Sequence, residues 1–180
     1  MKQPTTITIH PKIVTIGAPS LRMGSSLVLD FELAGAHCQK LINLLRELKG
    51  AGLAAPQVGI NERIIVVEIK KTELFPDRLE SPLYVMINPQ ILEFSEELEE
   101  GWEGCFSVPG LVGLVPRAKE IKVKYQSEDG LEKIEIFKDY LARVIQHEYD
   151  HLDGCIYLDR MTKIDTLSTL DNYKTNHHQL

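Results

Sequence analysis

A chain of 180 residues with 43% hydrophobic and 26% charged side chains fits one compact globular domain spanning residues 1–180, with a core large enough to dispense with disulfides. Its formal charge of −6 excludes a general nucleic-acid binder, which needs surplus Lys and Arg to neutralise phosphates. The longest apolar runs, such as Ile64 to Val67, fall far short of the roughly 20 residues that span a bilayer, so no membrane class is expected.

The N-terminus, MKQPTTITIHPKIVTIG, has neither the apolar stretch of a secretory signal nor the Arg-rich pattern of a transit peptide, and a cytoplasmic location is expected. Three cysteines, Cys38, Cys105 and Cys155, are a poor disulfide framework. In a reducing compartment each is either a small core residue or a thiolate with chemistry. From Asp30 to Lys49, the spacing of Leu41, Leu44, Leu45 and Leu48 predicts an amphipathic helix stopped by Gly50. The β-branched run Arg63 to Ile69 predicts a buried strand, and Leu83 to Ile87 and Gln90 to Phe94 predict two more. Acidic Ser95 to Gly101 reads as a solvated turn. Alternating patterns at Glu120 to Tyr125 and Leu131 to Phe137, joined by turn residues, predict a hairpin. Asp139 is placed to cap a helix from Tyr140 to Leu152, with Gly154 as its stop. A short strand is expected at Cys155 to Leu158. The polar tail, residues 161–180, ending in Asn176, His177 and His178, shows no clear element. Strands preceding a late helix, without alternating βαβ units, predict an α+β fold.

His147-Glu148-Tyr149-Asp150-His151 is an H-E-x-x-H pattern. Histidines at i and i+4 share one helix face, so both imidazoles can meet one cation while Glu148 reaches a water held there. Two surface histidines bracketing a Glu is the bland alternative. Against it, Val144 and Ile145 put the pair at the border of a core, where unsatisfied polar groups are costly. A catalytic site of this kind needs a third ligand. Metalloproteases with a downstream histidine would place it at position 157, which is Tyr157, and no Glu follows Glu148. The third ligand must come from upstream. Cys105, beside Gly104, is the best candidate and brings negative charge; Cys38 and Cys155 read as core.

Three motifs then carry a family resemblance: Gly50-Ala51-Gly52-Leu53-Ala54-Ala55-Pro56-Gln57, Glu103-Gly104-Cys105-Phe106-Ser107 and Gln146 through Gly154. With Gly17 to Arg22 they make the chain resemble peptide deformylase from about Ile13 to Arg160. The resemblance implies mixed and antiparallel β-sheets around a central helix bearing the two histidines. It implies removal of formate from the N-formylmethionine of new polypeptides, with one divalent metal per chain, Fe(II) first and Zn, Ni or Co as alternatives. Water activated at the metal would attack the formyl carbon, with Glu148 as general base and then acid. The Gln57 side chain and the Phe106 backbone N–H would stabilise the oxyanion. Ala51, Gly52, Phe106 and Val144 would border the methionine pocket, although each has an ordinary core reading as well.

The sequence also departs from the family pattern. Phe106 stands where many members have Leu, Val112 where many have Arg, and Lys49 where an acidic residue is common. An ion pair that helps hold the substrate-side loops is therefore missing, and peptide preference or efficiency is expected to differ. Arg117 and Asp150 are expected either to pair beneath the metal helix and orient a histidine, or to form an exposed ion pair of under about 1 kcal/mol. With essentially Lys163 and Lys174 as its cations, the tail gives no support for ribosome association. The competing readings are a metallopeptidase acting on internal bonds and a non-catalytic binder of metal or formylated peptides.

Overall fold

The computed structural model describes residues 9–72 and 77–176, so the first eight residues and His177 and His178 lie outside it. The first helix, α1, spans Phe31–Leu48. Asp30 caps it by accepting from the backbone N–H groups of Glu32 and Leu33, both at 3.0 Å, and Lys49 ends it in the left-handed region at φ 54°. Its buried face, including Cys38, Leu41, Leu44 and Leu45, packs on one side of a sheet.

That sheet has the order β1-β2-β3-β6-β7, built from Gly52–Ala54, Ile64–Val67, Tyr84–Phe94, Glu120–Gln126 and Glu132–Lys138. Every pairing in it is antiparallel. Strand β2 is buried on both faces: Ile64 and Val66 meet the α1 core, while Ile65 and Val67 meet the core around α2, Asp139–Leu152. Such burial is worth about 1.5–3 kcal/mol per side chain, and it is why this strand is apolar throughout instead of alternating. A second sheet, β4-β5-β8, comprises Leu98–Cys105, Val108–Ala118 and Ser168–Thr169. Helix α2 packs against strands of both sheets. The expected α+β class holds, with the histidine helix enclosed. No described helix is long and apolar enough to cross a membrane.

Several local expectations are corrected. The two strands expected between Leu83 and Phe94 are one, β3, bent at Asn88, where φ is 51°. Asn88 joins the bend to the α1 side: its Oδ1 accepts from Val28 N at 2.8 Å and its Nδ2 donates to Val28 O at 3.0 Å. The acidic stretch after Phe94 is not a turn throughout, because β4 begins at Leu98 and its partner is the unforeseen β5. Asp139 starts α2 at φ 53° rather than capping it by its side chain. Cys155 to Leu158 is no strand; a short helix, α3, runs Tyr157–Arg160. Beyond Met161 the chain forms a 3-10 turn at Ile164–Thr166, then β8, then helix α4 over Leu170–Asn176.

Candidate metal centre

Helix α2 carries His147 and His151 one turn apart on its buried face, and the end of β4 brings Cys105 to them. One donor atom from each of the three lies within 4.8 Å of the other two. Cys105 Sγ is 3.3 Å from His151 Nε2. Cys105 follows Glu103 by two residues and so shares its face of β4, toward the helix, and the β4-β5 register shifts between Gly104 and Cys105. Gly104 itself has no left-handed backbone; its side is filled by Val112, whose Cγ1 would lie 3.1 Å from an added Cβ.

The ring orientations favour a common ligand. His147 Nδ1 is 2.8 Å from Glu103 Oε2, which leaves Nε2 for the focus. At His151 the outer nitrogen, Nδ1, is buried without a hydrogen-bond partner. Burial disfavours charge on both imidazoles. At His147 the contacts with Cys105 and Glu103 outweigh it and push the pKa well up, while at His151 burial, reinforced by the charges of His147 and Arg117, pushes it well down. A divalent cation at the focus would supply the positive charge that the sulfur and Glu103 draw onto His147. Two imidazoles and a thiolate are a donor set suited to Fe(II), Zn(II) or Co(II), so the residues present fit a metal ion.

Glu148 lies beside this cluster under an apolar wall. Its Oε2 is buried and unpartnered, and burial, with the charge of Glu103 adding and His147 and Arg117 opposing, pushes its carboxyl up to about 7. Close approach of β1 to the helix depends on Gly52, because an added Cβ would sit 2.6 Å from Glu148 Oε1 and 2.8 Å from Val144 Cγ1. Gln57, 1% exposed, is fixed by its Oε1, which accepts from Ala54 N at 2.8 Å. Its Nε2 therefore faces the cluster, 3.4 Å from Cys105 Sγ and 3.3 Å from Ser107 Oγ. Ala51, Gly52, Phe106 and Val144 share one cavity with Gln57, Cys105, His147 and Glu148, whereas His151 is set behind it.

Behind the helix is a group of charges that sequence reasoning largely missed. Arg117 grips Glu103 with two hydrogen bonds of 3.0 Å and reaches Asp150 Oδ2 at 2.6 Å. Arg143 donates to Glu103 Oε1 at 2.9 Å and to the carbonyl of Val115 at 2.8 Å, and Arg160 closes on Asp150 from outside. Burial alone would raise the Glu103 carboxyl; the bonds and charges of His147 and Arg117 reverse this and hold it at about 2. The Arg117–Asp150 pair is thus buried, which overturns the exposed alternative, and the residue orienting His147 is Glu103. Arg143, four residues before His147 and so on its helix face, was the available signal. Tyr157 is buried with its ring stacked on His147 at 6.2 Å and holds no ligand position.

Antiparallel sheets closed around a helix with two imidazoles, a thiol and a buried carboxylate suit a single-metal hydrolase. The profile of the polypeptide deformylase family matches residues 10–166, and the chain belongs to that family, hydrolases that act on N-formylmethionine. It is 37% identical to peptide deformylase 2 of Nostoc sp. over 90% of this chain and 92% of the relative. It is 41% identical to peptide deformylase of Thermus thermophilus over 82% and 80%. A Met-Ala-Ser-bound crystal structure of class I type b peptide deformylase from Acinetobacter baumannii superposes with a TM-score of 0.81 at 36% identity, covering 86% of this chain and 99% of that one.

Proposed function

We propose that this enzyme removes the formyl group from N-formylmethionine on newly made polypeptides in the cytoplasm, by metal-assisted hydrolysis. Cys105, His147 and His151 hold one divalent cation, with Fe(II) the expected ion and Zn, Ni or Co able to replace it. The observation that carries this reading is Glu148: a buried carboxylate with an unpartnered oxygen beside a three-donor cluster.

When bound, the cation supplies Lewis acidity, which makes a water ionisable near neutral pH. Glu148 accepts the proton of that water as its oxygen bonds to the formyl carbon. The carboxylate is positioned for this because Gly52 leaves room for it and the apolar cavity wall raises its basicity. The negative oxygen of the tetrahedral centre meets Gln57 Nε2 and the Phe106 backbone N–H, each such donor being worth about 3–4 kcal/mol of barrier. Glu148 then passes its proton to the departing amine nitrogen, the C–N bond breaks, and formate and a free N-terminus result. Ala51, Gly52, Phe106 and Val144 border the methionine side chain.

The test is formate release from formyl-Met-Ala-Ser by protein prepared anaerobically with Fe(II), and separately with Ni(II). One formate per peptide consumed is expected. Absence of formate with both metals sinks the proposal, and cleavage of an unformylated peptide would indicate a peptidase instead.

A further inference from the structure

The cavity over Glu148 and His147 has a volume of about 800 Å³ and continues past the methionine wall to Trp102, Leu170 and Tyr173. Pockets of about 300–1,000 Å³ take ligands of drug size, so this one has room for more of a peptide than its formylated first residue. The far wall comes from the C-terminal segment. Strand β8 pairs with β5 in the register Leu111 with Thr169 and Val112 with Ser168, and Leu114 N donates to Thr166 Oγ1 at 3.3 Å. Helix α4 then places Tyr173 against Trp102, with ring centroids 4.9 Å apart and planes inclined by 51°. Of these wall residues Leu170 and Tyr173 follow residue 166, where the family match ends, and Trp102 lies within it.

We propose, resting on the deformylase reading, that Trp102, Leu170 and Tyr173 form a subsite for a large apolar side chain in the two residues after formylmethionine. The occupant follows from continuity: a chain whose formyl group lies at Glu148 and which extends along the same cavity arrives at this aromatic shelf. All three side chains are only partly buried, so they retain apolar surface for a guest. Arg78 and Asp171 also line the cavity with opposite charges, so selection rests on apolar contact and not on the sign of charge. Val112, 8% exposed, pairs with Ser168 and so fixes the strand from which α4 and its aromatic ring follow.

The test compares kcat/KM of the metal-loaded enzyme on formyl-Met-Leu-Phe and formyl-Met-Ala-Ser. We expect a preference of about 5- to 20-fold for the first, the scale of one partly buried large side chain, expressed mainly in KM. Tyr173→Ala and Leu170→Ala should each reduce that ratio, and Tyr173→Phe should retain it. A wild-type ratio near one overturns the subsite, as does an equal fall on both peptides in the Ala variants. If the wild type releases no formate from either peptide, the deformylase reading has failed instead. Calorimetric titration with Met-Leu-Phe and Met-Ala-Ser then measures the subsite without turnover, and equal or weaker binding of Met-Leu-Phe overturns it.

Discussion

The two sides of helix α2 are built on opposite principles. Behind it, Glu103, Arg117, Arg143 and Asp150 are 5–6% exposed and bound to one another. In front, Glu148 stands against Gly52, Val144 and an open cavity, with one oxygen unpartnered. Saturated hydrogen bonding fixes the direction of an imidazole, whereas a group that must take and release a proton has to be left unsatisfied. The difference assigns rigidity to the rear and chemistry to the front, and each side can be broken separately.

The largest effect belongs to the front. Glu148→Gln keeps the shape but removes the proposed base, and kcat should fall by about 10²- to 10⁴-fold, the usual worth of a positioned proton acceptor. Metal content, read by atomic emission, should stay near one per chain, because the carboxylate is no ligand. Loss of the metal would mean that its role is ligation.

Breaking the rear should read out as stability and metal affinity together. Glu103→Gln leaves two buried guanidinium groups short of a counter-charge, and such losses cost about 3–5 kcal/mol. It also weakens the hold on His147 Nδ1, so metal affinity should drop by about 10- to 100-fold. Urea melts of the apo and metal-loaded forms, with competition against a chelator, separate the two quantities. Unchanged stability in both forms would mean that the charges behind the helix are surplus to the fold.

Gly52→Ala tests how closely the front is fitted. The new Cβ would fall 2.6 Å from Glu148 Oε1, so either β1 or the carboxylate must shift. Overpacking of this kind costs about 1–3 kcal/mol, and a displaced base should cost kcat more than KM. Melting temperature and kinetics together check this; full activity with an unshifted melting temperature would mean that the contact relaxes freely.

The sequence was far more informative about the front than about the rear. His147, Glu148 and His151 fall within five consecutive positions, so one helix brings them together whatever the remainder of the chain does. Cys105 was found by elimination, because Tyr157 and the absence of any later Glu closed the alternatives. The network behind the helix joins positions 103, 117, 143 and 150, and only the pairing of β4 with β5, together with the packing of α2 against them, makes them neighbours. That pairing was hidden because the acidic residues of β4, Glu99 and Glu100, read as a solvated turn. They are indeed exposed, but on an edge strand that pairs with β5 along its length. The tail misled for a related reason: β8 is two residues long and gains its structure from Leu111 and Val112, with no hydrophobic period of its own.

Val112→Arg has the smallest expected effect and sharpens the comparison at its boundary. Position 112 is 8% exposed and pairs with Ser168 of β8, and its Cγ1 faces Gly104, two residues before the turn that holds Phe106 and Ser107. An arginine there cannot keep its charge buried without a partner, so its head must leave past Ser168 and loosen the β8 pairing. The bond from Leu114 N to Thr166 Oγ1 lies just beyond and should anchor the 3-10 turn, limiting the change to β8 and α4. The ratio of kcat/KM between formyl-Met-Leu-Phe and formyl-Met-Ala-Ser should therefore shift by less than about tenfold, or about 1.4 kcal/mol. Hydrogen exchange should show faster exchange over residues 168–173 and no change in α2. Identical kinetics on both peptides, with unchanged exchange in the segment, would mean that the C-terminal strand is indifferent to position 112.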